Sequence, residues 1–152
     1  MVEFENDIVI QKPIGEVFAF LADPQNLPRW NYYVLEVKLV SGERASSGAI
    51  YHQVRKTDEE DLRLETVEPV HRVVIKTVPP SPISLEMVFF LEEEGSATRI
   101  RDLWYIDTGR PFILELLGRG VIKAAVAQNL GKLKMLLETG SVTLQDSRIA
   151  TI

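Results

Sequence analysis

The sequence predicts an α+β domain in which a curved seven-stranded antiparallel sheet wraps around a long C-terminal helix, with two short helices after the first strand. Two observations predict this architecture. Six stretches with strand character follow one another between residues 33 and 107, separated by turn-forming residues. An apolar stripe with helical spacing then occupies residues 121–138. A sheet with one apolar face needs a cover, and a helix of this length can supply it.

The N-terminal elements are recognised by a change in the spacing of apolar residues, from a strand pattern to a helical one. Residues 2–11 mix β-branched and aromatic residues with polar ones, which predicts a first strand. Apolar residues then recur at intervals of three and four, at Ile14, Val17, Phe18 and Leu21, and this spacing predicts a short helix that starts near Pro13. A proline closes that helix, and residues 26–31 are rich in turn formers and have room for one further helical turn.

The six further strands form the rest of the predicted sheet. Their connections are short and contain Gly, Pro, Ser and Asp. Because a parallel pair needs a crossover of about a dozen residues or more, short connections predict antiparallel pairing. Alternation is clearest at Leu85, Met87, Phe89 and Leu91, which we expect to face the core. The predicted strands span residues 33–40, 49–57, 62–68, 72–78, 84–92 and 98–107.

The pattern of the C-terminal third predicts a helix over residues 121–138, with less regular segments before and after it. The apolar face of residues 112–117 is rotated by roughly half a turn from that of residues 121–138, estimated from 3.6 residues per turn. Gly118 and Gly120 lie between the two faces, and each costs about 1 kcal/mol in a helix interior. We therefore expect a kink or break there. Residues 140–152 have no clear period and are expected to be a flexible tail outside a single domain of residues 1–139.

Composition excludes several kinds of chemistry. The chain of 152 residues contains no Cys and two His, His52 and His71, so thiolate nucleophiles and Cys-based metal sites are excluded, and we expect neither metal nor cofactor. A net charge of -5 gives no positive field to attract nucleic acid. No apolar run approaches the ~20 residues of a membrane helix, and the N-terminus does not resemble a signal peptide. We therefore expect a cytoplasmic protein without a transmembrane segment.

Common catalytic motifs are absent from the sequence, including G-x-S-x-G, the phosphate loop and H-E-x-x-H. The acidic residues 58–61 are expected to form a solvated hairpin tip, because adjacent carboxylates lack the spacing of a calcium loop. His71 follows Pro69 at the start of a strand and is expected at a turn or edge.

Asp102 and His52 are the candidate catalytic residues. Asp102 shares a strand face with Trp104, while the opposite face holds two arginines, so we expect Asp102 inside the protein or at a cavity mouth. His52 lies between Ile50 and Val54 on its strand face. Two interpretations of His52 stay open. It is a core-edge residue bonded to a neighbour, or it pairs with Asp102 across a cavity as an acid/base or ligand-orienting couple.

A space between a twisted sheet and its covering helix would be an apolar cavity, the usual form of a small-molecule site. Residues 112–117 carry more apolar side chains than one buried face needs. They are a lid over the cavity, a homodimer or membrane-surface contact, or ordinary packing, and these alternatives stay open. The expected ligand contacts are Leu64, Met87, Phe89, Trp104, Phe112 and Leu116.

Residues 13–30 carry a recognisable pattern. They read P-I-G-E-V-F-A-F-L-A-D-P-Q-N-L-P-R-W and match P-x-x-x-V-F-x-F-[LI]-x-D-x-x-x-x-P-x-W. Supporting pieces are Gly48, Glu68-Pro69 and residues 97–100 and 133–138. With these motifs, residues 2–139 resemble the helix-grip proteins of the START and Bet v 1-like (SRPBCC) superfamily, and within it the polyketide cyclase/dehydrase-type bacterial proteins.

The resemblance implies three functional hypotheses. The first is binding of a small hydrophobic molecule, which is aromatic, polyketide-like or lipid-like, between the sheet and the C-terminal helix. The second is a polyketide cyclase or dehydratase-type enzyme in which His52 and Asp102 move protons. The third is a lipid-carrier or ribosome-associated interaction module that acts through residues 112–117.

Overall fold

A computed structural model describes the backbone of residues 1–152 and all side chains except those of Phe112, Ile113, Glu115 and Leu116. Strand β1 (Val2–Ile10) leads into helix α1 (Ile14–Leu21) and a 3-10 helix (Pro24–Arg29). The chain ends with helix α2 (Phe112–Thr139) and the short strands β8 (Ser141–Thr143) and β9 (Ile149–Thr151). Between them lie β2 (Val34–Ser41), β3 (Ile50–Arg55), β4 (Glu59–Glu68), β5 (Arg72–Thr77), β6 (Ser84–Glu94) and β7 (Ala97–Asp107).

The main sheet has seven antiparallel strands in the order β1-β7-β6-β5-β4-β3-β2. Strands β2 to β7 form a meander, and β1 adds to it by pairing with β7. Trp104 on β7 faces Phe4 on β1 and Met87 on β6 in the register. The predicted α+β class, the antiparallel sheet of seven strands and the long C-terminal helix are confirmed.

The core lies between the inner face of this sheet and α2. The alternation predicted on β6 is confirmed, since Leu85, Met87, Phe89 and Leu91 are all buried. Trp30, at the end of the 3-10 helix, is buried and packs edge-on against Phe89 with a centroid distance of 6.3 Å. Helix α2 contributes Val126, Leu130, Leu133 and Leu137 to the same cluster.

Helix α2 is continuous through Gly118 and Gly120, so the chain does not break there, and a kink at the two glycines stays a prediction. Leu117 and Val121, on either side of the two glycines, are 75% and 74% exposed. Throughout the part of the chain that is described, no helix combines the length and apolarity needed to cross a membrane.

The C-terminal residues form a hairpin where the sequence predicted a frayed tail. Gly140 ends α2 in the left-handed conformation, with a φ of 87°, and β8 and β9 pair directly after it. Val142 and Leu144 are buried against Leu136 in a small second core. Strands of three residues are too short for an alternation to be recognised in the sequence, which explains the difference.

Candidate functional site

A cavity of about 290 Å³ lies between the sheet and α2, in the place predicted for a ligand. Its two ends differ in chemistry. Met87 and Trp104, with other apolar residues of β6 and β7, form one end, which we call the apolar end. The end we call the polar end is lined by Asn31, Gln53, Arg55 and Asn129.

The apolar end rests on Trp104. Its ring stacks on Phe4, with a centroid distance of 5.8 Å and an interplanar angle of 19°. The indole Nε1 donates a hydrogen bond of 3.0 Å to Oδ1 of Asp102, two residues earlier on the same strand. Both contacts fix the orientation of the indole, so that Trp104 presents a defined surface to the cavity.

Asp102 is fully buried, which agrees with the expected inward position. Its Oδ2 has no hydrogen-bond partner among the described residues. Burial raises the pKa of Asp102 to about 7, and the bond from Trp104 only partly offsets this effect. Trp104, and not Asp102, belongs to the cavity wall. Asp102 is therefore connected to the cavity wall through its hydrogen bond with the Trp104 indole.

The polar end is built on β3 and β4. Gln53 faces Glu60 in the register, and its Nε2 donates to Glu60 Oε1 at 3.2 Å, which leaves the Gln53 carbonyl oxygen for the cavity. The Arg55 guanidinium makes two hydrogen bonds to Asp58, of 2.7 and 2.8 Å, and its Nε lies 3.6 Å from Glu60. Burial raises the pKa of Glu60. Two carboxyl groups thus lie against Arg55, the cationic residue among the described residues of the cavity wall.

The acidic run was only partly predicted. The turn precedes it, and residues 59–61 already belong to β4. Glu60 is 5% exposed, so the solvated tip expected for residues 58–61 is wrong at this residue. The reason is that Glu60 points to the inner face, where Gln53 and Arg55 supply polar partners.

Asn31 and Asn129 complete the polar end. Asn31 Oδ1 accepts from the Tyr33 backbone N–H at 3.0 Å and from Asn129 Nδ2 at 3.2 Å. Asn129 Oδ1 accepts from the Tyr32 backbone N–H at 3.3 Å. These bonds occupy both carbonyl oxygens, whereas the Asn31 amide nitrogen makes no hydrogen bond among the described residues and can donate to a molecule in the cavity.

His52 lies on the opposite face of the sheet. Its neighbours Tyr51 and Gln53 are buried, while the His52 side chain is 40% exposed. His52 Nδ1 bonds Asp61 Oδ1 at 2.8 Å, and this bond is the main cause that raises the pKa of His52. The structure therefore does not bring His52 and Asp102 together. The first interpretation of His52, a residue bonded to a neighbour, fits its position.

The expected ligand contacts separate into three groups. Met87 and Trp104 line the cavity. Leu64 and Phe89 are buried in the core but are not part of the cavity wall. Phe112 and Leu116 lie outside the described side chains. His71 is exposed in the turn before β5, as expected.

The polar wall residues were missed, although one signal was present. Asn129 lies three residues after Val126 and one before Leu130, inside the apolar stripe of α2. A polar residue in such a stripe needs a buried partner or a cavity, and it could have been identified as a site residue. Gln53 and Arg55 gave no comparable signal. The apolar Ile50 and Val54 alternate with them along β3, so the sequence favoured the opposite face, with His52, as the buried one.

The role of residues 112–117, as a lid, an interface or part of the core, stays a prediction. Leu114 and Leu117 are 55% and 75% exposed. Among the residues described, no group of three or more His, Asp or Glu side chains could hold a metal ion.

Comparison with known proteins identifies a family model and structures with the same fold. The family model described as "Polyketide cyclase / dehydrase and lipid transport" matches residues 1–138. No curated protein matched the sequence. Residues 140–152, which contain the hairpin, lie beyond the matched part.

Three solved structures illustrate the shared fold. The di-domain ARO/CYC BexL from the BE-7585A biosynthetic pathway is 17% identical, with a TM-score of 0.69, over 92% of this chain and 48% of that one. The chain thus spans about half of that di-domain protein. XoxI from Bacillus cereus is 16% identical, with a TM-score of 0.71, over 89% and 94%. The Aha1 dimer from Colwellia psychrerythraea is 19% identical, with a TM-score of 0.65, over 92% and 98%.

Proposed function

The chain belongs to the polyketide cyclase/dehydrase and lipid transport family, and from its cavity we propose that it binds a small, neutral, largely apolar ligand with an oxygen-bearing polar group. The division of the cavity wall supports this proposal. Met87 and Trp104 contact the apolar body of the ligand, while Asn31 and Gln53 offer one amide donor and one amide acceptor to its polar group. A wall that is apolar except for a few placed polar groups is typical of small-molecule sites.

The size of the cavity favours a compact ligand. Its volume of about 290 Å³ is close to the lower limit of ordinary ligand sites, which span roughly 300–1,000 Å³. A long acyl chain needs more room than this. Among the three ligand classes that the sequence suggested, we therefore favour aromatic and polyketide-like molecules over lipid-like ones.

The charges around Arg55 favour a neutral ligand. A free guanidinium would attract a carboxylate, but Asp58 already binds Arg55 through two hydrogen bonds and Glu60 lies beside it. An anionic ligand would add a third negative group at this end and would meet repulsion. A hydroxyl or carbonyl group can use the amides without that cost.

A cyclase or dehydratase-type enzyme is the second candidate, and the likeness to an ARO/CYC protein favours it. General acid–base catalysis requires a titratable group within hydrogen-bond reach of the substrate. Of the described residues that line the cavity, none carries a carboxyl or imidazole group. This observation supports binding as the first candidate function, and turnover of a bound molecule would favour the enzyme instead.

The direct test is native mass spectrometry of the purified protein, followed by denaturing extraction and identification of any released molecule. We expect a small neutral aromatic compound. Equilibrium dialysis with 2-naphthol, naphthalene and 2-naphthoate provides the quantitative test, with the expected order of affinity 2-naphthol, naphthalene, 2-naphthoate. Tightest binding of 2-naphthoate would contradict the proposed ligand class.

A matched pair of variants shows whether binding occurs in this cavity. Ala125 lines the cavity, whereas its neighbour Ala124 is exposed on α2 and is not part of the wall. Ala125→Phe fills the space and should abolish 2-naphthol binding, while Ala124→Phe should leave it unchanged. Equal binding by both variants would place the ligand elsewhere.

A homodimer through residues 112–117 is the accompanying partner hypothesis, and the exposure of Leu114 and Leu117 supports it. Exposed apolar patches often mark interaction sites. Sedimentation equilibrium should then show a dimer that Leu117→Glu converts to a monomer. A monomeric wild-type protein would refute this hypothesis without affecting the cavity.

A further inference from the structure

The C-terminal hairpin contacts the segment that lines the polar end of the cavity. Arg148, next to β9, donates from Nη2 to the Tyr32 carbonyl oxygen at 2.8 Å and from Nη1 to the Val34 carbonyl oxygen at 3.0 Å. Residues 30–33 connect the 3-10 helix to β2, which begins at Val34, and Asn31, Tyr33 and Val34 line the cavity. One guanidinium therefore ties this irregular connection to the first residue of β2.

The position of Arg148 is itself fixed. Asp146 accepts from Arg148 Nε at 2.7 Å and from Lys56 Nζ at 2.9 Å, and Lys56 also lies over the Tyr32 ring, 4.4 Å from its centroid. The hydrogen bond from Lys56, followed by those from Arg148, lowers the pKa of Asp146 to about 2. The carboxylate is thus ionised at neutral pH and links the hairpin to Lys56, the residue after β3, and through Arg148 to residues 31–34.

A second contact from the hairpin reaches α2. Gln145 Nε2 donates to Asn129 Oδ1 at 3.4 Å, the same oxygen that accepts from the Tyr32 backbone N–H. Asn129 in turn donates to Asn31 Oδ1. Both asparagines of the polar end are therefore part of one hydrogen-bond network with the hairpin.

We propose that the C-terminal hairpin sets the ligand selectivity of the cavity, with Arg148 as a positioning residue that holds residues 31–34 so that the Asn31 amide nitrogen faces the ligand. The identity of the ligand in this inference rests on the proposed function, whereas the hydrogen bonds between the hairpin and the cavity wall are observed. The hairpin lies beyond residue 138, where the match to the family ends, so the family match carries no information about this role.

Three full-length variants test the proposal. Arg148→Ala removes both carbonyl contacts, and Arg148→Lys keeps a cation beside Asp146 but cannot span the two carbonyls as a guanidinium does. Arg99→Ala is the matched control, because Arg99 pairs with Asp7 and Glu94 at the other edge of the sheet. Removing the whole hairpin is avoided, since it would expose the buried Leu136.

The first readout is the ratio of the dissociation constants for naphthalene and 2-naphthol. Arg148→Ala should lower 2-naphthol affinity about tenfold, the value of one hydrogen bond of ~1.4 kcal/mol, and change naphthalene affinity by less than about twofold. Arg148→Lys should be intermediate, and Arg99→Ala should keep the wild-type ratio. An unchanged ratio in Arg148→Ala, or an equal loss of both probes, would overturn the proposal.

The second readout needs no ligand. The backbone N–H groups of Tyr32 and Tyr33 donate to Asn129 Oδ1 and Asn31 Oδ1, and they should be protected from hydrogen exchange in the wild-type protein. Arg148→Ala should speed their exchange at least tenfold, with no change in the central strands. Failure of the wild-type protein to bind either probe would count against the proposed function alone. Unchanged exchange in Arg148→Ala would refute the hairpin's role independently.

Discussion

The two ends of the cavity are constructed in different ways. The apolar end is part of the sheet itself: Phe4, Met87 and Trp104 are register partners on three adjacent strands. The polar end is assembled from segments far apart in sequence, and Asn31 and Asn129 meet there through side-chain hydrogen bonds. A backbone ladder therefore fixes all of the first end, whereas the second end depends on the β3–β4 ladder and, in addition, on individual contacts between side chains. Substitutions should therefore affect stability most at the apolar end and selectivity most at the polar end.

The largest expected effect is the pH dependence caused by Asp102. Its pKa of about 7 in the folded protein, against 3.8 for a free side chain, means that the folded state binds more protons than the unfolded state between these values. The free energy of unfolding should fall as the pH rises from about 4 to about 7, by up to about 4 kcal/mol from this group. Asp102→Asn should remove this loss and be more stable than the wild type at pH 8, as measured by urea denaturation.

The control for this measurement is Asp7→Asn, which alters an exposed carboxylate on β1 that pairs with Arg99. It should leave the difference between pH 5 and pH 8 unchanged. If Asp102→Asn follows the wild-type pH profile, Asp102 does not titrate in this range and does not cause the pH dependence of stability.

A smaller effect is expected from Trp104→Phe. The ring can still stack on Phe4, but Oδ1 of the buried Asp102 loses its donor, which should cost about 1–3 kcal/mol in urea denaturation at pH 8. Asp102→Asn, Trp104→Phe and the double variant form a cycle that isolates the pair. Additive effects would contradict the proposed link between the two side chains.

At the polar end, Gln53→Leu should change selectivity more than stability. The variant loses the carbonyl acceptor for the ligand and the donor to Glu60. We expect a loss of about 1 kcal/mol in the free energy of unfolding and a reduction of several-fold in 2-naphthol affinity, while naphthalene binds at least as well. Equilibrium dialysis checks both probes, and a parallel decline of both would remove the distinction between the two ends.

The smallest effect is expected at His52. Because the bond to Asp61 raises the pKa of His52, its stabilisation is present below the ordinary pKa and is lost as the pH rises through the higher folded value. The side chain is 40% exposed, so His52→Ala should cost less than about 1 kcal/mol at pH 5.5 and less still at pH 8.5. Ligand affinity should not change. A marked loss of binding would return His52 to the list of site residues.

The sequence predicted the fold well because periodicity and turn residues are local signals. The strands, the buried face of β6 and the helix stripe were all read from neighbours in sequence. At β3, however, the same signal was misleading: Ile50 and Val54 suggested an inward face for His52, but Gln53 and Arg55 face the cavity instead. Their burial depends on partners such as Glu60, which lie on the next strand, and periodicity within one strand carries no information about that pairing.

The hairpin was missed for a related reason. Arg148 contacts carbonyl groups more than a hundred residues earlier in the chain, and backbone carbonyls have no sequence signature. Asp102 was predicted correctly as an inward carboxylate, because any alternative placed two arginines in the core. Elimination works when one strand offers only two faces, but it cannot identify contacts between distant segments.

The two tryptophans of the chain occupy different surroundings, and this gives the protein its own optical reporter. Trp104 faces the cavity with its indole N–H bonded to Asp102, whereas Trp30 is buried against Phe89. In a Trp30→Phe background, the remaining emission would come from the cavity wall alone. A ligand that displaces water from Trp104 would shift that emission to the blue, so candidate molecules could be ranked by fluorescence without a label and before any reaction is known.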